Sequence, residues 1–265
     1  MITINICGGL GNQLFQIFNG ITYASKTNQD FCINEYHYNT DDSNITKRYT
    51  YWENILLFLK DRVISRQILD SEKKIIEESF SYKELPLYDE DVSIHGFFQS
   101  YKYLDRFLIN RYLDFDEDNN KKYKNICSIH FRFGDYKKYS DYHFLLDESY
   151  YIPAVEFMVR NRRSKFLLFY EEEDKLEVKR IMKQVIHNVP GIIIKKIDTN
   201  IPDYEQLIIM SKCDSNIIAN STFSWWGAYL NDNPDKIVIR PLKWFGPKAE
   251  NKETKDLFPP HWITI

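Results

Sequence analysis

The chain has 265 residues, 43% of them hydrophobic and 28% charged. That length suits one large domain or two lobes of about 100–150 residues each, and that composition supports a packed core, which excludes a disordered chain. The net charge of −3, from Lys+Arg 35 against Asp+Glu 38, argues against general nucleic-acid binding.

Ile2 to Ile6 alternates apolar and polar residues and predicts a strand. Gly8-Gly9-Leu10-Gly11 predicts a tight turn, with Asn12 as the N-cap of a helix carrying Leu14, Phe15, Ile17, Phe18 and Ile21. Phe31 to Ile33 is the next candidate strand, and residues 34–50, rich in Tyr, Asn and Asp, form a loop. Helices are predicted around Trp52 to Leu59 and Ser71 to Glu78, a strand over Val92 to Phe97, and a helix over Tyr101 to Ile109. Asp114 to Lys124 is a charged, Asn-containing stretch that suits a linker or a solvated surface loop.

Beyond it the alternation becomes regular. Strands are predicted at Asn125 to Phe131, Lys165 to Tyr170, Ile192 to Ile194, Asn216 to Ala219 and Lys236 to Ile239. Helices are predicted at Glu148 to Arg160, Glu173 to Ile186, Asp203 to Cys213 and Phe223 to Leu230. Strands alternating with helices imply a parallel sheet with right-handed crossovers.

The cysteines Cys7, Cys32, Cys127 and Cys213 form no CxxC pair and lie in or beside apolar segments, which suits buried free thiols in a reducing compartment. No signal-peptide pattern follows Met1, and no apolar run reaches the ~20 residues of a membrane span, so the expected location is cytoplasmic.

Three segments carry candidate chemistry. The first is Gly8-Gly9-Leu10-Gly11-Asn12-Gln13, between a strand and a helix. It is neither a GxGxxG fingerprint nor a P-loop. It fits either a plain tight turn or a backbone that a ligand approaches closely, and the two amides beside the glycines favour the second.

The second is His130-Phe131-Arg132-Phe133-Gly134-Asp135-Tyr136, at a strand's carboxyl end, where ligands of parallel sheets bind. Arg132 suits a phosphate, because its planar fork donates two charge-assisted hydrogen bonds, and Asp135 would orient that fork or accept a proton. An ordinary Arg–Asp surface pair fits the same spacing, and His130 suits a structural role as well as a catalytic one.

The third is Asn220-Ser221-Thr222-Phe223-Ser224-Trp225-Trp226-Gly227-Ala228-Tyr229-Leu230. Its hydroxyls sit where a strand ends and a helix begins, a place that favours anions. Trp225 and Trp226 suit packing better than sugar stacking. The acids Glu171, Glu172, Glu173 and Asp174 begin a helix, and one could accept both N–H donors of a guanine edge. No metal-ligand spacing, DxD-type strand end, GxSxG or Cys/His pair is present.

Together these motifs resemble the α-1,2-fucosyltransferases of glycosyltransferase family 11. Phe98-Gln99-Ser100-Tyr101-Lys102-Tyr103, Tyr150-Tyr151 and Pro259-Pro260-His261-Trp262-Ile263 extend the resemblance over almost the whole chain. The resemblance implies an α/β GT-B-like fold of two Rossmann-like lobes with the active site between them. The lobes are expected at residues 1–124 and 125–245, with 246–265 packing back on the first. It implies an inverting, metal-independent transfer of fucose from GDP-fucose to a sugar hydroxyl, with α-1,2 linkage to galactose, in the building of a glycan. The expected partners are thus a nucleotide-sugar donor and a glycan acceptor, with no further cofactor.

By that resemblance Arg132 binds the donor diphosphate. Gly9, Gly11, Asn12 and Gln13 approach the diphosphate or fucose, with His130, Asn220, Ser221, Thr222 and Ser224 also lining the donor site. Glu171 or Glu172 reads guanine. Asp135, His143, Asp147 and Glu148 are the candidates for the base, with Arg132, Asp135 and Asp147 taken as the catalytic set. One position departs: family members commonly carry a second Arg where this chain has Phe133. The alternatives are a different nucleotide-sugar donor, or a nucleotide-sugar-binding protein weakened in catalysis.

Overall fold

The computed structural model describes residues 1–36, 49–113 and 122–265. The chain divides into two units, Met1–Phe115 with Lys252–Pro259, and Asp116–Asn251 with Pro260–Ile265. Most of the Asp114 to Lys124 segment and residues 37–48 of the expected 34–50 loop lie outside the described residues.

The first unit holds β1 (Ile2–Asn5), α1 (Leu10–Lys26), β2 (Phe31–Asn34), β3 (Val63–Ile64), β4 (Lys74–Ile76), β5 (Val92–His95) and α2 (Arg106–Tyr112). Its sheet runs β3-β2-β1-β5-β4, with every pairing parallel. Alternation along β1 explains one packed face. Ile2 and Ile4 are buried, and Gly20 lets α1 approach so closely that an added Cβ would lie 2.4 Å from Ile4. The alternate residues Asn5, Asn34 and Ser93 are also buried but polar, and satisfy one another: Asn34 Nδ2 donates to Asn5 Oδ1 at 2.9 Å and Asn5 Nδ2 to Ser93 Oγ at 2.9 Å.

Three expectations change here. Ser71 to Glu78 is not a helix; its centre is β4, which pairs Ile75 with Ile94. Strand pairing buries Ile75 while the charged flanks stay outside, and this tertiary gain overrides local propensity. Trp52 to Leu59 forms turns leading into a 3-10 helix, Leu57–Arg62. Tyr101 to Ile109 splits into a 3-10 turn, Tyr101–Tyr103, and α2, because Asp105 caps α2 by accepting from Phe107 N and Leu108 N.

The second unit holds β6 (Cys127–His130), α3 (Glu148–Arg160), β7 (Lys165–Phe169), α4 (Lys175–Asn188), β8 (Ile193–Lys196), α5 (Asp203–Ser211), β9 (Ser215–Ile217), α6 (Thr222–Tyr229), β10 (Val238–Arg240) and β11 (Ile263–Thr264). Its sheet runs β11-β10-β9-β6-β7-β8 and is parallel throughout. One face packs Cys127, Ile129 and Phe131 against Tyr151 and Val155 of α3 and Ile181 and Val185 of α4. The other packs Leu167 and Phe169 against Met210 of α5. Trp225 and Trp226 are fully buried, so they pack the core. Cys127 and Cys213 are buried free thiols whose pKa values burial pushes up.

The C-terminal residues serve both units. Lys252–Pro259 belongs to the first, where the Asp256 carboxylate takes Lys102 Nζ and the Tyr82 N–H at 3.2 Å. The final strand, β11, extends the second sheet beside β10.

Candidate functional site

Numbered within its own sheet, the second unit has the strand order 3-2-1-4-5-6 of a doubly wound fold. The chain leaves β6 for β7 on one side, and returns as β9 on the other. Loops at the carboxyl ends of those two strands therefore diverge, which is where such sheets bind ligands. The loop after β6 carries Arg132, and the loop after β9 carries Asn220 and Ser221 and leads into Thr222 at the start of α6.

Arg132 is fixed from several sides. One guanidinium nitrogen, Nη1, donates to Glu171 Oε1, and Nη2 donates to Asp135 Oδ1. Its Cζ lies 5.1 Å from the centre of the Tyr136 ring. His143 stacks against that ring, with centroids 3.9 Å apart and planes at 11°. Burial works against the Arg132 charge, but the carboxylates of Glu171 and Asp135 outweigh it and raise the pKa. The turn that carries Arg132 is held from below by Asp174, which is 1% exposed. Asp174 Oδ2 accepts from Gly134 N at 2.9 Å and Phe133 N at 3.3 Å, and Oδ1 pairs with Lys137 Nζ at 2.9 Å.

Phe133 faces inward. It is 5% exposed, belongs to the core of this unit and stacks on Phe131. A second arginine at this position would have to leave that core. His130 is likewise internal: burial, with the nearby Arg132 charge, pushes its pKa down to about 3, and Nδ1 has no hydrogen-bond partner. It is neutral at physiological pH, which does not suit a proton carrier.

On the β9 side, Ser221 is the N-cap of α6, and its hydroxyl accepts from Phe223 N at 3.3 Å. Thr222 opens the helix and is partly exposed. Ser224 is fully buried, with its hydroxyl shared with the Ala219 N–H and the Ala219 and Ser221 carbonyls. Asn220 spends its amide on the Phe144 and Trp244 carbonyls at 2.8 and 2.9 Å. The structure thus brings Arg132, Asp135, Glu171 and the start of α6 to one end of the sheet, while Ser224 and Asn220 act inside it.

Other expected residues are engaged elsewhere. Glu172 bonds Lys175 Nζ and Thr199 Oγ1. Asp147 is the N-cap of α3, accepting from Ser149 N at 2.9 Å and Ser149 Oγ at 2.6 Å. Glu148 pairs with Arg180 at 2.9 Å.

The first unit has its own switch point, between β1 and β5. Gly8 has φ +81, a conformation glycine adopts without strain. The N-cap of α1 is Gly9, not Asn12, and an added Cβ on Gly9 would meet nothing within 4 Å. Gly11 and Gln13 are buried in the first turn of α1, and Gln13 Nε2 donates to Gly8 O at 3.1 Å and Tyr49 O at 2.8 Å. Asn12 Oδ1 accepts from Gln99 Nε2 at 3.0 Å, across from the β5 end.

Sequence reasoning passed over three supporting residues. Asp174 is one of four consecutive acids, with nothing local to mark it as the buried one. Tyr136 donates its hydroxyl to Asn220 O at 3.1 Å and so ties the β6 loop to the β9 loop. Glu77 Oε2 and Oε1 accept from Phe97 N and Phe98 N, each at 2.9 Å, fixing the turn that delivers Gln99. Tyr136 lies in the second candidate segment and Asp174 in the acidic run, whereas Glu77 lies in neither.

Among the described residues, no group of three His, Cys, Asp or Glu is placed to hold a metal ion, and no helix is long and apolar enough to cross a membrane.

Two α/β units on parallel sheets, one with a carboxylate-held arginine at its switch point, have the architecture of a GT-B-type glycosyltransferase. The fold is similar to that of Escherichia coli ADP-heptose lipopolysaccharide heptosyltransferase II, at TM-score 0.50 and 9% identity, covering 100% of this chain and 90% of that one. The model of glycosyl transferase family 11 matches residues 93–265. The chain belongs to that family, as a fucosyltransferase-like glycosyltransferase. It is 27% identical to the Escherichia coli α-1,2-colitosyltransferase over 100% of this chain and 99% of that protein. It is 33% identical to the Escherichia coli O-antigen biosynthesis glycosyltransferase WbnK over 146 residues, 53% of this chain and 45% of that relative, so that match spans less than half of WbnK.

Proposed function

We propose that this enzyme transfers L-fucose, a 6-deoxy sugar, from GDP-fucose to a hydroxyl of a glycan acceptor, forming an α-1,2 bond to galactose with inversion and without a metal ion. The observation that carries this reading is Arg132 at the carboxyl end of β6, held by Asp135 and Glu171 beside the start of α6. As the sugar leaves, negative charge grows on the β-phosphate of GDP. A preorganised guanidinium and the N–H groups of a helix start stabilise that charge in place, the role a divalent ion fills in other transferases. Asp135 acts as the orienting group for Arg132. Ser221 and Thr222 lie at the α6 terminus, where an anion is favoured. In the first unit, the open backbone at Gly9 suits close approach by substrate.

Inversion requires a single displacement, so a β-linked donor yields an α-linked product. The test is incubation with GDP-fucose and a galactoside, with and without chelator, followed by NMR of the product. An α-1,2-fucoside formed equally in both supports the reading; a β product or chelator-blocked transfer contradicts it.

The full-length similarity to a colitosyltransferase favours a second donor, the 3-deoxy form of the same sugar. A competition assay between the two GDP-sugars separates them: the preferred donor has the higher kcat/KM.

A further inference from the structure

Each sheet carries the same device at its switch point. In the second unit, Asp174 follows β7 and takes two consecutive N–H groups of the loop after β6, the loop that holds Arg132. In the first unit, Glu77 follows β4 and takes two consecutive N–H groups, Phe97 and Phe98, of the loop after β5. The first unit's loop is strained. Phe98 is 1% exposed with φ +49, a left-handed backbone that a bulky aromatic residue rarely adopts. Gly96 has φ +145, and a Cβ there would lie 2.3 Å from Glu77 Cβ. Further anchors hold this path: Gln16 Nε2 donates to Gly96 O at 3.2 Å, Ser100 Oγ donates to Asp256 O, and the Tyr103 ring meets Phe98 edge-on at 5.4 Å. A costly backbone conformation fixed from so many sides points to function.

The strained path ends at Gln99, which is 8% exposed. Its Nε2 donates to Asn12 Oδ1 at 3.0 Å, while its Oε1 has no hydrogen-bond partner among the described residues. Asn12 lies over the glycine turn, its Nδ2 2.8 Å from where a Gly8 Cβ would be. The Gln99 oxygen therefore sits at the same end of the sheet as Gly8 and Gly9. Neither residues 7–13 nor residues 96–100 include a Lys or Arg. An amide oxygen in such surroundings accepts from a hydroxyl and repels the oxygens of a phosphate or carboxylate. It is the chemical opposite of Arg132, and suits a neutral sugar.

We propose that Gln99 is a specificity-determining residue whose amide oxygen accepts from a hydroxyl of the neutral glycan acceptor, and that Glu77 is the positioning residue that fixes it there. This rests on the reading of the enzyme as a transferase to a galactoside hydroxyl.

The test is NMR titration of methyl β-galactoside, and of the analogues that lack its 2-, 3-, 4- or 6-hydroxyl, into wild type, Gln99→Met, Glu77→Gln and the double variant, with and without GDP. Gln99→Met keeps the volume but not the oxygen. It should weaken the galactoside roughly 5–30-fold, the effect of one lost hydrogen bond to a buried group, while GDP affinity stays within about twofold. One deoxy analogue should bind less well than its parent to wild type, but equally well to Gln99→Met, because the missing hydroxyl and the missing oxygen are each other's partner. Glu77→Gln should weaken the galactoside about 3–10-fold, and should add nothing to Gln99→Met in the double variant. Equal galactoside binding by wild type and Gln99→Met, no binding by either, or the same analogue penalties in both overturns the proposal. Additive effects of the two substitutions refute the positioning role of Glu77. If wild type transfers no fucose yet shows these galactoside differences, the donor reading fails and the Gln99 site stands.

Discussion

Replacing Asp174 by alanine tests how the Arg132 turn is built. The carboxylate is 1% exposed and receives two consecutive backbone N–H groups, Phe133 at 3.3 Å and Gly134 at 2.9 Å. Truncation leaves both donors without an acceptor, at about 1–3 kcal/mol for each buried group. Lys137 keeps a partner in Glu177 at 2.6 Å and is partly exposed, so its loss of Asp174 adds little. The net cost is about 2–6 kcal/mol, which for a unit of this size lowers Tm by roughly 4–24 °C. Asp174→Asn keeps one acceptor oxygen and should cost about half as much. Calorimetry reads the melting, and GDP titration reads the site: affinity should fall with stability, since Arg132 leaves from the same turn. A Tm within 1 °C of wild type for the alanine variant would refute the buried-clamp account of this loop.

Three other changes probe neighbouring claims. Phe133→Arg should destabilise the protein by about 3–5 kcal/mol, by placing a charge in the core at a ring whose centre lies 5.8 Å from the Lys137 ammonium; denaturant unfolding checks it, and a stable variant with tighter GDP binding would show that the position faces the ligand. His130 has a folded pKa of about 3 against its ordinary 6.5. Between those values the unfolded chain binds a proton that the folded chain excludes, so its share of stability is full above pH 6.5 and falls as pH drops, by about 2 kcal/mol from pH 7.5 to 5; urea unfolding of His130→Asn should lack that share of the acid sensitivity, and a wild-type–variant difference equal at both pH values would contradict it. Gly9→Ala has room for its methyl group, so stability should stay within about 1 kcal/mol while transfer falls at least ~10-fold; undiminished turnover in the transfer assay would show that no ligand approaches this backbone closely.

The second unit was legible because most of its elements, the exposed edge strand β8 aside, bury their own apolar face in sequence order. The predicted helix Glu148 to Arg160 coincides with α3, and the strands of β6, β7, β8, β9 and β10 fall within two or three residues of their expected places. The first unit was less legible for reasons of context. Residues 71–78 carry a helix-compatible pattern, but the partner that makes them a strand, Ile94, lies in β5. The two-residue strands β3 and β11 are too short to leave a periodic signal, and only their neighbours define them. In the site, residue types marked Arg132, Asp135 and the α6 start. They did not say which hydroxyl points inward: Ser221 caps the helix while Ser224, three residues later on the same short helix, closes a buried bond to Ala219. Nor did the acidic run reveal that Glu171 reaches Arg132 while Asp174 turns under the loop, because that division depends on how the residues after β7 curl beside β6.

The central claim is that Arg132 holds the donor diphosphate. Calorimetric titration of GDP into wild type, Arg132→Lys and Arg132→Ala tests it most directly. Loss of a charge-assisted, paired contact to phosphate should weaken GDP by roughly 30–1000-fold in the alanine variant. Lysine should recover only part, because it keeps the charge without the planar fork. A GDP affinity within about threefold of wild type in a folded Arg132→Ala protein would contradict the account.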